Sequence, residues 1–292
     1  MSTIRRETPR PGDGIDYRAM GAGDLEAAWQ LSMDQHWPHR PVDWEDAFAL
    51  GEGIVAEADE QLVGTAMRWR WGSAHATVGL VIVSELMRGR RIGSVLMERV
   101  LDGLQDRSVS LHATEVGRGL YERLGFVRTG EIRQHQGIAA SAPLIALDDG
   151  WRLRPFDRSD EPALFALDEA ARGWSRTTML RMWLDSAEQI VALDHDGRLD
   201  GYAMLRRFGR GVEIGPVIAS DDIGARALIA HLVSLAAGRF VRLDMDFSSG
   251  LTGWIEELQL QRVGTVTAMT RGELKVAPDG PRLFSLATQA YG

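Results

Sequence analysis

The sequence predicts an α/β (α+β) protein made of two tandem units, each a mixed, mostly antiparallel sheet flanked by helices. Three observations predict it: an internal repeat at one offset, the same order of strand and helix patterns in each half, and a length that suits two domains. Gly14-Ile-Asp-Tyr-Arg18 with Asp24 resembles Gly150-Trp-Arg-Leu-Arg154 with Asp160, a shift of 136 positions. Residues 53–56 and 189–192 keep that shift, as do residues 79–84 and 215–220. Three separate segments at one offset mark a duplicated supersecondary unit. The 292 residues, 45% of them hydrophobic, supply apolar surface for two cores, each in a domain of about 140 residues.

Each unit reads in the same order. An opening strand (15–20; 151–156) precedes Asp24 or Asp160, whose carboxylate is expected to N-cap the following helix. Leu25, Ala28, Trp29 and Leu31, then Trp44 and Phe48, are spaced for one face of each of two short helices. Leu164, Leu167, Met179, Met182 and Trp183 play that part in the second unit. Residues 53–58, 62–71 and 76–84 read as antiparallel strands. A helix (92–104), a strand (108–113), a short helix (117–124) and a last strand or two complete the unit. The expected division is a mobile tail at 1–12, a first domain at 13–137, a linker at 138–149 and a second domain at 150–292.

Composition excludes several classes. A formal charge of -8 argues against a broad nucleic-acid footprint, which needs clustered Lys and Arg. No apolar run reaches the roughly 18 residues that a membrane span needs, and the first residues lack a secretory signal. A cytoplasmic location without a membrane partner is therefore expected. The absence of cysteine excludes disulfides, thiolate zinc sites and a cysteine nucleophile. His36 and His75 stand too isolated for a metal site, so none is expected.

The strongest chemical signal is the junction running from Val81-Ile82-Val83 through Ser84-Glu85-Leu86-Met87-Arg88-Gly89-Arg90-Arg91 into Ile92-Gly93-Ser94. A buried strand enters a basic, glycine-containing loop that opens a helix. Unpaired amides at a helix start form an anion site, and Gly89 and Gly93 allow a phosphate to approach the main chain closely. About 30 residues later comes Leu120-Tyr121-Glu122-Arg123-Leu124-Gly125-Phe126.

Together these motifs resemble the GNAT superfamily of N-acetyltransferases, with its Q/R-x-x-G-x-G/A loop and later L-Y-x-x-x-G-F, over roughly residues 15–136. The resemblance implies that Arg88, Gly89, Arg90, Arg91, Ile92, Gly93 and Ser94 cradle the pyrophosphate of acetyl-CoA. It implies too that Leu80, Val81, Ile82 and Val83 offer main-chain hydrogen bonds to the pantetheine arm. The family places glycine where this chain has Arg91, a side chain expected to be tolerated if its backbone stays helical. Tyr121 matches the tyrosine that protonates the leaving thiolate. For a general base the family has no fixed position, and His112, Glu57, Glu85 and His75 are candidates by location. Asp34, His36, Trp37, Trp69 and Trp71 are candidates for binding the acceptor, although Trp69 and Trp71 also suit packing beneath the second domain.

The second copy lacks these features. Its loop reads Asp221-Asp222-Ile223-Gly224, acidic where a pyrophosphate would lie, and Ile255 stands for the tyrosine. With Ile214-Gly215-Pro216 it resembles the degenerate C-terminal domain of tandem members. The expected function is transfer of an acetyl group from acetyl-CoA to a primary amine of a small molecule. Acetylation of a protein N-terminus or lysine, and non-catalytic sensing of acyl-CoA, are the alternatives; a homodimer is left open.

Overall fold

The computed structural model describes residues 14–274 and 279–292, so the tail expected at 1–12 lies outside the described residues. The first half runs β1 (Asp16–Ala19), α1 (Leu25–Asp34), α2 (Pro41–Leu50), β2 (Glu52–Ala58), β3 (Gln61–Trp71), β4 (His75–Val83), α3 (Ile92–Val100), β5 (Ser108–Ala113), α4 (Glu115–Arg123) and β6 (Val127–Ile138). The second half repeats the order with β7 (Trp151–Pro155), α5 (Glu161–Arg172), α6 (Thr177–Ser186), β8 (Gln189–His195), β9 (Arg198–Phe208), β10 (Gly211–Ala219), α7 (Asp222–Leu235), β11 (Phe240–Asp246), α8 (Thr252–Glu257) and β12 (Gln261–Arg271). It then adds β13 (Arg282–Ser285), which has no counterpart in the first half. No helix among the described residues is long and apolar enough to cross a membrane.

The thirteen strands form one sheet, mostly antiparallel, with parallel pairs at β4–β5 and β10–β11. Its order is β1-β2-β3-β4-β5-β12-β6-β11-β13-β10-β9-β8-β7. The two units are therefore not separate sheets. Each sends its last long strand into the other: β12 pairs with β5, β6 pairs with β11, and the two exchanged strands pair with each other from Gln261↔Gln136 to Thr270↔Val127.

Alternation of side chains places cores on both faces of this sheet. On one face Trp44, Met67, Trp69 and Leu80 of the first unit pack in one cluster with Leu164, Met179, Trp183 and Tyr202 of the second. On the other face α3 and α4 cover the first unit, while α7 and α8 cover the second. A one-residue bulge in β4 changes which face its side chains reach. Ala76 and Val78 lie on the α3 side, but Leu80 and Ile82, at the same sequence parity, join the shared core. The register records the extra residue, since Met67 faces Gly79 and Thr65 faces Ile82. Thr65 Oγ1 donates to Leu80 O at 2.7 Å, fixing Leu80 at φ 50. An equivalent shift lies between Ile214 and Val217 of β10.

Asp24 and Asp160 have repeated roles, but not the expected ones. Neither carboxylate caps the helix after it. Asp24 accepts Gly21 N–H at 2.7 Å and a two-pronged bond from Arg18, closing the turn before α1. Asp160 does the same with Asp157 N–H at 2.9 Å and Arg154. The carboxylates turn back because an arginine of the opening strand, also kept by the repeat, gives a charge-assisted pair that a cap lacks.

A fully buried ion pair sits in the second unit's part of the shared core. Asp168 accepts Arg176 Nε and Nη2 at 2.8 Å each, and Tyr202 Oη donates to the same carboxylate. Removing one partner strands a charge away from water. Asp168→Ala is expected to lower unfolding free energy by about 3–5 kcal/mol in urea denaturation; a loss under about 1 kcal/mol would contradict this role.

Candidate functional site

The loop between β4 and α3 folds as a short 3-10 turn (Glu85–Met87), an extended Arg88, and Gly89 at φ 81. Arg91, at φ 62 and ψ 10, is the N-cap of α3 and makes no side-chain cap. Its backbone is left-handed rather than helical, so the arginine occupies a conformation that glycine adopts freely and that costs an ordinary residue about 1–2 kcal/mol. The expectation of a helical Arg91 is thus corrected. Among the described residues no acceptor takes the amide N–H of Gly89, Arg91, Ile92 or Gly93. Such a row of amides opening a helix is an anion-binding concavity. Arg88 bonds Glu85 at 3.0 Å and Gln35 Oε1 at 2.5 Å, which ties the loop to the end of α1.

Just before the bulge, β4 and β5 part. They pair only where His75, Ala76 and Thr77 meet Ser108, Val109 and Ser110. Among the described residues no strand pairs with the side of β4 toward β5 from Val78 to Val83, while β5 continues with β12 on its far side. The open edge thus runs from the bulge to the loop amides.

Tyr121 borders this unit's core from α4. Thr114 caps the helix by accepting Gly117 N–H at 3.4 Å, and Gly125 at φ 85 reverses the chain so that Phe126 N–H returns to Tyr121 O. Phe126 then meets the Tyr121 ring edge-on at 6.2 Å. The L-Y-x-x-x-G-F spacing is the local fold that fixes this ring. No acceptor among the described residues takes the Tyr121 hydroxyl, and burial pushes its pKa up to about 12.

Beside the bulge lies a cavity of about 230 Å3. Gly79, Leu80, His112 and Thr114 form one side, Trp37, His39, Asp43 and Asp46 another. Trp183, Arg206, Phe208 and Arg242 of the second unit close it, together with Thr288–Tyr291 from the segment after β13. His112 Nδ1 donates to Gln289 O at 2.7 Å, and Gln289 Nε2 donates to Asp244 Oδ1 at 3.1 Å. The donating Nδ1 leaves Nε2 as the acceptor nitrogen. Burial holds the imidazole pKa below its ordinary value. A larger cavity of about 550 Å3 also borders His112.

Other candidates lie elsewhere. Glu57 is on the outer strand pair, bound by Arg18 at 2.5 Å, and Glu85 is held by Arg88 on the loop, so neither lines the cavity. His75 is buried against Trp174 with ring centroids 3.6 Å apart, and burial drives its pKa down to about 3. Asp34 and His36 are exposed at the end of α1. Trp69 and Trp71 are core residues: their Nε1 atoms donate to Ala47 O and Thr77 Oγ1, and both rings meet Tyr291 edge-on. Of the aromatic candidates only Trp37 lines the cavity. Asp46, Arg206, Arg242 and Gln289 were not singled out by sequence. Three of the four come from the second half, and no local pattern links them to the first.

The second unit has the same bulge and a filled gap. β10 and β11 pair at Val212–Val241 and Glu213–Arg242, after which β13 inserts between them, with Ser285 facing both Val217 and Met245. Leu286 N–H continues to Asp244 O at 2.8 Å. At the start of α7 the Asp221 carboxylate accepts Gly224 N–H at 2.7 Å, and Asp222 pairs with Arg282 of β13. Ile255 is fully buried.

Residues 41–142 and residues 164–285 each match an acetyltransferase (GNAT) domain profile. The uncharacterized N-acetyltransferase YitH of Bacillus subtilis is 29% identical over 185 residues, 62% of this chain; the chain spans 64% of that relative's length. A putative acetyltransferase structure from Pyrococcus horikoshii covers 100% of both chains with a TM-score of 0.77 at 17% identity. A tandem GNAT protein from the clavulanic acid biosynthesis pathway covers 90% of this chain and 99% of its own, with a TM-score of 0.63 at 15% identity. The structural likenesses speak for the fold, and the two domain matches fall one on each copy of the repeat. The chain belongs to the GNAT acetyltransferase family, as a tandem member.

Proposed function

We propose that this chain is an acetyl-CoA-dependent N-acetyltransferase that acylates a primary amine of a small molecule in its first unit. The observation that carries the reading is the open edge of β4, which runs between the free amides at the start of α3 and Gly79 and Leu80 at the cavity, with Tyr121 on α4 of the same unit outside the cavity lining. The fit to acetyl-CoA rests on those amides and that edge: Gly89, Arg91, Ile92 and Gly93 would hold the pyrophosphate, with Arg90 and Ser94 beside them. Leu80, Val81, Ile82 and Val83 would hold the pantetheine arm. When bound, acetyl-CoA supplies the thioester that the amine attacks.

The chain's own groups then have distinct tasks. Tyr121 keeps its proton at Oη through the neutral range, since its pKa is pushed up to about 12. It is suited to donate a hydrogen bond where negative charge develops on sulfur. His112 stays neutral because burial lowers its pKa, and its Nε2 would receive a proton from the acceptor amine directly or through water. The cavity, closed by the second unit, favours a small acceptor over a protein N-terminus or lysine, which would need an open groove. The second unit would bind no cofactor, because β13 fills its gap and Asp221 takes the helix-start amide.

Four measurements test this reading and the loop geometry behind it. Calorimetric titration with acetyl-CoA should give one site per chain; two sites would exclude the division between units. Tyr121→Phe should lower kcat for thiol release with amines by about 10²-fold or more while leaving acetyl-CoA affinity unchanged. Equal turnover by the variant would remove Tyr121 from the reaction. Because its raised pKa keeps Tyr121 protonated, its ionisation should contribute no loss of kcat between pH 7 and 10, and the His112 contribution should be lost only as pH falls below the ordinary imidazole value. Arg91→Gly should stabilise the fold by about 1 kcal/mol in urea denaturation, and a destabilised variant would contradict the left-handed strain at that position.

A further inference from the structure

The lining of the cavity beside the bulge carries charges of both signs, Asp43 and Asp46 from the first unit and Arg206 and Arg242 from the second, which an acceptor with a single charged group would not require. On the α2 wall Asp46 is half-buried and has no hydrogen bond or ion pair among the described residues. Burial, aided by the neighbouring Asp43, raises its carboxyl pKa, while Arg206 and Arg40 draw it back. Asp43 is already engaged, with Arg40 at 2.7 Å.

The second unit's share of the lining is basic. Arg206 and Arg242 are each more than nine-tenths buried, at 7% and 8% exposure. The Arg206 guanidinium lies 3.4 Å from the Trp183 ring centroid, and its Nε and Nη2 are fixed by Gly215 O, Ala287 O and Glu213. Arg242 lies over Phe208 at 5.1 Å, with Nε and Nη2 bound to Asp244. No acceptor among the described residues takes the Nη1 protons of either arginine. Glu213 between them is a weak counter-charge, because complete burial pushes its carboxyl pKa up. A carboxylate with no hydrogen-bonded cation and two buried guanidinium groups whose Nη1 protons find no acceptor among the described residues are costly in an empty site, even with Asp244 and Glu213 offsetting part of the positive charge. A ligand bearing both charges relieves both costs, and ring-stacked guanidinium groups hold their donors ready for it.

We propose that the cavity binds a small dipolar acceptor, a primary amine that also carries a carboxylate, with Asp46 receiving the ammonium end and Arg206 with Arg242 the carboxylate. This rests on reading the cavity as the acceptor site of the acyltransferase. At about 230 Å3 the space suits a molecule of amino-acid size, since pockets for drug-sized ligands start near 300 Å3.

The test separates binding from turnover. The full-length protein saturated with coenzyme A, which cannot acylate, is titrated calorimetrically with a panel of free amino acids and their carboxamides. At least one free acid should bind, about tenfold or more tighter than its carboxamide, and Asp46→Asn should weaken that acid by about tenfold without changing coenzyme A affinity. Equal binding of acid and carboxamide, no binding by any member, or an unchanged Asp46→Asn variant would overturn the proposal. A tightly bound acid that releases no thiol from acetyl-CoA would instead overturn the acyltransfer reading and leave the dipolar site standing. Turnover of simple amines without preference for the acids would do the reverse.

Discussion

The pairing of β12 with β6 is the constraint on which the rest of the molecule depends. Each strand ends one unit in sequence and completes the other in space, so neither half has a full complement of backbone partners alone. An unpaired interior strand leaves N–H and C=O groups without partners in a buried sheet, which is expensive. The exchange therefore locks the units into one body and brings their bulged strands to the same side. The cavity follows from that arrangement. Leu80 and His112 reach it from one unit, and Arg206 and Arg242 from the other.

The same bulge has opposite outcomes in the two copies. At the β4 bulge the gap toward β5 has no strand among the described residues, whereas at the β10 bulge the gap receives β13, which supplies ladder bonds there. The chain leaving β13 then crosses to the first unit, where Gln289 orients His112 and Tyr291 packs against Trp69 and Trp71. A segment that closes one gap thereby helps build the cavity beside the other. Duplication supplied two equivalent frames, and one extra strand made them unequal.

How much of this was legible in the sequence varied with the range of the interactions. The repeat, the order of elements, the basic loop and the L-Y-x-x-x-G-F turn are local, and each could be read from spacing. The strand exchange could not, because alternation tells which face a side chain takes but not which strand lies beside it. Trp69 and Trp71 show the limit: their period-2 spacing placed them on one face, while only the shared core decides that they meet Tyr291. Arg91 fails for a different reason, since a pattern match carries no backbone angle. Glu57 was a candidate by position, yet the Arg18–Asp24 turn, itself part of the repeat, had already claimed it. Arg206, Arg242 and Gln289 gained meaning only from the fold, which brings them from the second half of the sequence to a cavity shared with the first.

The two helix starts show what the division between copies entails energetically. Asp221 caps α7 and satisfies an amide, an arrangement typically worth about 1 kcal/mol. The equivalent end of α3 has no cap, leaves its amides open, and holds Arg91 in a left-handed conformation that costs about 1–2 kcal/mol more. The first unit is thus locally weaker by about 2–3 kcal/mol at the start of α3. Helix-start amides cannot both be capped by an aspartate and receive a phosphate. The second copy resolves that conflict for stability, and the proposed function has the first resolve it for binding, while the shared sheet lets the stable copy support the strained one.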